Sequence, residues 1–452
     1  MLSSRRSIVG GCKNRLAGQI TANYLAPMAC LLVAVILMEA NVWAQQPSVS
    51  DSDKQTIELL VRRIDQLEAR VAQLESGKST ASSATAEPTP TPPAESGTTG
   101  QQQAAIEPEE TRRMDVGRTL LNIRGFGDVT FHGDSAKGPH FDPGISTLTG
   151  NTTTFSLGQL DLFVTSDISD KFKFLSEIVF EAGLDNSVGV DVERYLLQYS
   201  PNDYFNVSVG RYHTAIGYYN TAYHHSTWLQ TTTGRPFLFA FEDSGGILPI
   251  HNVGVSVTGL IPSGNFGLHY VAEVGNGRAS SSPNVEAVQN RLDENNGKSF
   301  NLALYLRPSA VRGLQTGFSF YHDHLTPIGL PTIGENIFAA HAVFIRPSFE
   351  WLNETMLIRH AVNGTSRVFD TPGFYTQVSK RFGSYRPYFR YQYVNASAVE
   401  PIFPQVGLMH GPSLGLRYDP SESVTLKVQY DYTDLPHQTP INGVATQLGF
   451  TF

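Results

Sequence analysis

The chain ends in an unbroken alternation. Val444, Thr446, Leu448, Phe450 and Phe452 fall on one side of an extended backbone, and Ala445, Gln447, Gly449 and Thr451 on the other. A period of two means a strand with one oily and one polar face. The same alternation recurs upstream. It predicts sixteen strands, near 119–131, 154–166, 171–182, 188–199, 204–212, 252–261, 265–275, 299–307, 313–323, 336–346, 348–359, 373–382, 385–394, 411–418, 423–432 and 443–452. Oily faces read Phe172, Phe174, Ile178, Phe180, then Phe300, Leu302, Leu304, Leu306, then Val424, Leu426, Val428, Tyr430. Opposite them lie Lys173, Glu177, Glu181, then Asn301, Tyr305, Arg307, then Thr425, Lys427, Gln429, Asp431. Charges on that second face imply water against it, because a dry core would leave them unpaired.

The connections alternate as well. Short ones, such as Ser169-Asp170, Pro262-Ser263-Gly264 and Pro308-Ser309, take turns with long ones at 132–153, 183–187, 213–251, 276–298, 324–335, 360–372, 395–410 and 433–442. A soluble sandwich has no reason to sort its connections by parity. A barrel with short turns on one rim and long loops on the other does. No run after residue 44 is apolar enough to cross a membrane as a helix. A membrane chain without helical spans must close its sheet, since lipid offers no partner to a free backbone group. The expected fold class is therefore all-β. It is a transmembrane antiparallel barrel of about sixteen strands over 118–452, preceded by a short helical coiled coil and a disordered linker.

The first part of the chain has a different pattern. Residues 1–44 read as an export signal. Arg5, Arg6, Lys13 and Arg15 form its basic region, Leu25–Met38 its apolar core, and Val42-Trp43-Ala44 a small-residue cleavage site. Ser4-Arg5-Arg6 resembles a twin-arginine signal, but a barrel must cross the inner membrane unfolded. Residues 53–76 carry heptads. Ile57, Ile64 and Val71 occupy a positions and Leu60, Leu67 and Leu74 occupy d positions. Arg63 and Arg70 at g face Glu68 and Glu75 at e of a parallel partner. Three heptads are marginal as a lone helix in water, so self-association is expected, in the manner of short parallel three-stranded coils. Residues 77–117 are a linker rich in Pro, Ser and Thr that cannot bury a core.

Composition narrows the partners. Only 16% of residues are charged, beside 40 Gly, 26 Phe and 19 Tyr, which suits short strands and tight turns. A net charge of −8 argues against nucleic acid. Both cysteines, Cys12 and Cys30, lie in the leader, so the rest of the chain has no disulfide and no thiolate ligand. Nothing in the pattern calls for a cofactor or a metal. His224-His225 alternate across a strand, and no carboxylate or cysteine spacing completes a site with them or with His322 and His324. Asp243-Ser244-Gly245-Gly246 has the look of a nucleophile segment, but Gly-Gly is ordinary turn chemistry.

Inner-face charge is sorted. Asp128, Asp161, Glu177, Glu181, Asp191 and Glu193 fall in the first four strands, and Arg381, Arg386, Arg390, Arg417 and Lys427 in the twelfth to fifteenth. On closure, a basic wall would face acidic groups of the loop or of the opposite wall. Such a field orients ions and dipoles as they cross, or the charges simply pair and brace the barrel. The longest connection is the third on the long-loop rim. It follows Gly210-Arg211 and carries Arg235-Pro236 and Glu242-Asp243 before the next strand. These features resemble the phosphate-selective porins of the O/P superfamily. The heptad segment resembles that of the trimeric DcaP-like porins, and the terminal Phe452 resembles the signal read by the outer-membrane barrel assembly machinery.

The resemblance implies a homotrimer in the bacterial outer membrane, with its coil in the periplasm. It implies passive diffusion of small polar or anionic solutes, carboxylates or phosphate among them. Arg211, Arg235, Glu242, Asp243, Arg381, Arg386, Arg390, Arg417 and Lys427 would line the pore. Arg suits carboxylates because its planar fork makes two parallel hydrogen bonds. The lysine ladder of a phosphate channel is not visible. The alternatives are a tether from outer membrane to cell wall, or a barrel enzyme. A plugged transporter would need a larger domain than 45–118 supplies.

Overall fold

A computed structural model describes residues 120–149, 153–183, 187–223, 227–241, 245–278, 293–436 and 438–452. The leader, the heptad segment with its a and d residues, the linker, His224-His225, Glu242, Asp243 and Ser244 lie outside the described residues.

In chain order the strands are β1 (Leu120–Asp134), β2 (His140–Asp142), β3 (Thr147–Thr149), β4 (Thr154–Leu157), β5 (Leu160–Asp167), β6 (Phe172–Ala182), β7 (Val188–Asn202), β8 (Phe205–His213), β9 (His251–Ile261) and β10 (Leu268–Gly275). They continue as β11 (Ser299–Leu306), β12 (Leu314–Leu325), β13 (Ile333–Arg346), β14 (Phe349–Val362), β15 (Val368–Lys380), β16 (Tyr385–Asn395), β17 (Leu408–Tyr418), β18 (Val424–Thr433) and β19 (Ile441–Thr451). β2 and β3 form a hairpin of their own within the first long connection. β4 and β5 both lie along β1 and are one barrel strand, interrupted at Gly158-Gln159. Every other strand pairs antiparallel with its chain neighbour, and β19 returns to β1. The described residues thus form a closed antiparallel barrel of sixteen strands. Boundaries differ from the sequence expectation by a few residues, and the segment near 154–166 is split in two.

The faces are inverted relative to a water-soluble barrel. Phe155 is 76% exposed and Val428 53% exposed, whereas the neighbouring inward Gln429 is 0% exposed. Outward apolar and inward polar side chains suit a lipid surround, where closure leaves no unpaired edge. The seam shows how closure is achieved. Register runs from Phe126↔Thr451 to Asp134↔Gly443. Gly125 and Phe452 then exchange two backbone hydrogen bonds of 2.9 Å each. The Phe452 ring covers Gly125 so closely that a Cβ there would sit 2.2 Å from the ring, and Phe450 covers Gly127 in the same way at 2.7 Å. Aromatic rings shielding glycines on a neighbouring strand restore the apolar surface those glycines lack.

Alternation fails at one informative place. Glu177 opposes Arg194 while Ile178 opposes Val192, so Glu193 is an extra residue bulged from β7. A bulge turns two successive side chains to one face. Glu193 and Arg194 both reach inward, and the Arg194 Nε lies 2.6 Å from the Glu177 Oε2.

Candidate functional site

The connection from β8 to β9, residues 214–250, enters the lumen. Its sequence explains why. Ile216, Tyr219, Phe237, Leu238, Phe239, Ile247, Leu248 and Ile250 have no place in water. They meet an apolar sector of the inner wall made by Ile337, Val343, Leu352, Met356, Ile358, Tyr375 and Val394. Each large side chain so buried contributes about 1.5–3 kcal/mol. Tyr219, at the start of the single turn α1 (Tyr219–Ala222), stacks on Phe239 at 5.4 Å, and Tyr375 meets both rings edge-on. Burial pushes the Tyr218 hydroxyl up to about 12, with the Glu350 and Glu354 carboxylates acting the same way, so it stays neutral in the pore.

Hydrogen bonds fix the loop by polarity. Its early N–H groups go to acids of the wall. Ala215 N donates to Glu273 Oε2 at 3.0 Å, Tyr218 N to Glu354 Oε2 at 2.5 Å, and Tyr219 N to Glu354 Oε1 at 2.9 Å. Gly217 is needed in this stretch, because a Cβ there would come within 2.2 Å of Glu354 at a φ of +71°. The loop's later carbonyls go to bases. Lys427 Nζ donates to the carbonyls of Thr227 and Thr232 (2.8 Å for the second) and to Gln447 Oε1 at 2.9 Å. Arg417 Nη1 donates to Trp228 O and Gln230 O, each at 2.8 Å. Arg390 Nη1 donates to Gly234 O at 2.7 Å and Thr232 Oγ1 at 3.2 Å. Charge-assisted bonds of this kind are about twice as strong as neutral ones.

The structure distributes the candidate residues accordingly. Arg390, Arg417 and Lys427 lie together, with Arg386 in register beside Arg417. They meet backbone carbonyls of the loop, and Arg417 Nε also donates to Asp419 Oδ1 at 2.7 Å. Arg381 needs correction. β15 ends at Lys380, so Arg381 lies in the exposed turn that follows, its Nε donating to Gly383 O at 2.9 Å. Arg211 is buried against Glu193, donating to its carbonyl at 3.0 Å, and His251 Nε2 approaches the Glu193 carboxylate at 2.7 Å. Arg235 donates Nε to Phe239 O at 2.6 Å, and its guanidinium lies 4.2 Å over Phe241 and 5.2 Å over Tyr219.

Between the loop and the β1, β4, β6 and β19 wall a cavity of about 280 Å³ remains. Asp128, Thr130, Ser156, Gln159, Glu181 and Gln447 line it from the wall, and Thr227, Gln230, Thr233, Arg235 and Phe241 from the loop. Among the described residues no group of three or more His, Cys, Asp and Glu is placed to hold a metal ion.

No protein-family model matches the chain, and no curated protein sequence matches it. Solved structures do. An anion-selective porin from Comamonas acidovorans aligns over 74% of this chain and 100% of its own, at 13% identity and a TM-score of 0.50. The outer-membrane channel DcaP of Acinetobacter baumannii aligns over 74% and 97%, again at 13% identity and a TM-score of 0.50. The fold is that of the outer-membrane porins.

Within this barrel, some residues escape the sequence reading. Arg194 is one, because the bulge at Glu193 reverses its expected face. Glu273 and Glu354 are others, since nothing local marks the two carboxylates that hold the loop. A third group is Arg278, Asp323, Glu335, His360 and Glu400. Arg278 Nη2 lies 3.2 Å from Glu335 Oε1, which His360 Nε2 meets at 2.9 Å, and His360 Nδ1 meets Glu400 at 2.5 Å. Arg278 Nη1 also donates to Ile247 O of the inserted loop at 2.8 Å. Arg278 and Glu400 lie in connections rather than strands, so the period of two gives no signal for this network.

Proposed function

We propose that the chain is an outer-membrane porin through which small polar solutes diffuse passively. The observation that carries this reading is a closed sixteen-strand barrel, oily outside and polar inside, whose longest loop lies in the lumen and leaves a polar cavity of about 280 Å³ against the β1, β4, β6 and β19 wall. Selectivity in such a pore follows from the groups at the narrowing, and binding must stay weak enough for release. The resemblance of the loop to phosphate-selective porins and of the coil to DcaP-like porins makes phosphate and small carboxylates, beside neutral sugars, the first solutes to assay. An anionic preference had its motive in the basic wall, and Arg390, Arg417 and Lys427 are engaged with loop carbonyls. Purified protein in proteoliposomes should give solute-dependent swelling, and in planar bilayers discrete conductance steps. Absence of both would reject the pore and leave the cell-wall tether as the better reading.

The homotrimer belongs to the same proposal. Its support is the a/d seam of Ile57, Leu60, Ile64, Leu67, Val71 and Leu74 with the Arg63–Glu68 and Arg70–Glu75 pairs. Deleting 53–76 should lower the cross-linked trimer fraction while each barrel keeps its heat-modifiable mobility. A full-length protein that cross-links only as monomer would refute it.

A further inference from the structure

We propose that the open part of this lumen prefers monovalent cations, such as potassium, to anions of similar size. The inference rests on the pore reading above and adds the sign of charge it admits. Its basis is which atoms the loop covers and which it leaves facing the cavity. The loop lies over the basic sector. Arg390 is 0% exposed and Lys427 1% exposed, each donating to the loop's backbone or side-chain oxygens. The acids that line the remaining cavity are Asp128 and Glu181.

One further atom points to the same ligand class independently of those acids. The side-chain oxygen of Gln230, an acceptor only, lies on the loop side of the cavity and is buried without any hydrogen-bond partner, in a residue 1% exposed. An unpaired buried oxygen favours a donor or a cation, because leaving it bare costs about 1–3 kcal/mol. Two wall amides turn their donors to the acids rather than to the cavity. Gln159 Nε2 donates to Glu181 Oε1, and Gln447 Nε2 donates to Asp128 Oδ2 at 3.3 Å. Lys427 is linked to Asp128 by hydrogen bonds through that same Gln447 amide. Among the described residues Arg235 is the one basic residue lining the cavity; its Nε donates to Phe239 O, and its guanidinium lies over two aromatic rings. A low-dielectric slot lined by oxygens focuses cations.

The test uses the full-length protein in a diphytanoyl-phosphatidylcholine bilayer with a KCl gradient. The expected reversal potential has the sign of potassium over chloride permeability. Glu181→Gln should lower that permeability ratio roughly threefold, as should Asp128→Asn. Glu181 is only half-buried, so its variant decides the matter if Asp128→Asn fails to fold. Conductance with chloride preference, or a Glu181→Gln channel with the unaltered reversal potential, would overturn the cation assignment and leave the pore standing. Absence of conductance would overturn both.

Discussion

Replacing Lys427 with Met is expected to widen the pore. The ammonium holds two loop carbonyls and the Gln447 amide oxygen from a position that water does not reach. Met fills similar space but donates nothing, so three acceptors lose their charged donor. At about 1–3 kcal/mol for each, the docked arrangement of 227–234 should weaken by about 3 kcal/mol or more, over a hundredfold in the ratio of docked to released loop. Single-channel conductance should rise several-fold, with the barrel's heat-modifiable mobility unchanged. Arg417→Gln should act in the same direction, because Arg417 holds Trp228 O and Gln230 O of the same segment. The double variant should fall short of the sum, since a segment already free gains little from losing a second anchor. Equal conductance in Lys427→Met and the parent would refute the anchoring role.

The second large effect is expected at the seam. Gly125→Val raises strand propensity, and that alone would favour the barrel. The structure predicts the opposite sign. A Cβ at 125 would sit 2.2 Å from the Phe452 ring, so the ring must leave the seam. Folded protein in the outer-membrane fraction should then fall at least as far as in Phe452→Ser, which removes about 1.5–3 kcal/mol of apolar contact at most. Combining the two should cost less than their sum, because no ring is left to clash. The readout is the heat-modifiable band on unboiled gels. A Gly125→Val protein that folds as well as the parent would show that Phe452 serves only as a terminal signal, independent of what it covers.

The barrel was legible because lipid outside and water inside impose the same two-residue period on every strand. Val424 to Asp431 displays it in eight residues. Parity of loop lengths then supplied the up-and-down order. What escaped has two physical causes. Local exceptions break the period: the bulge at Glu193 carries Arg194 inward, and β15 stops one residue short of Arg381. Long-range pairing leaves no local trace: Lys427 and Thr227 are 200 residues apart, Glu354 and Tyr219 are 135 apart. The sorted charge of the two walls is visible in the sequence, and part of it pairs between side chains, as in Arg194–Glu177 and Arg417–Asp419. The sequence does not show that backbone carbonyls of the inserted loop also serve Arg390, Arg417 and Lys427. One clue was present. Ile337, Ala339, Val343, Leu352, Met356 and Ile358 put apolar residues on the supposedly wet face of β13 and β14, which only a covering segment explains.

The split hold on the loop also ties two separate sectors of the wall together. Glu273 on β10 and Glu354 on β14 hold its N–H end, and Arg390, Arg417 and Lys427 on β16 to β18 hold its later carbonyls. The loop is thus a crossbar inside a hoop: a distortion that draws these sectors apart must stretch the segment between them or release one of its ends.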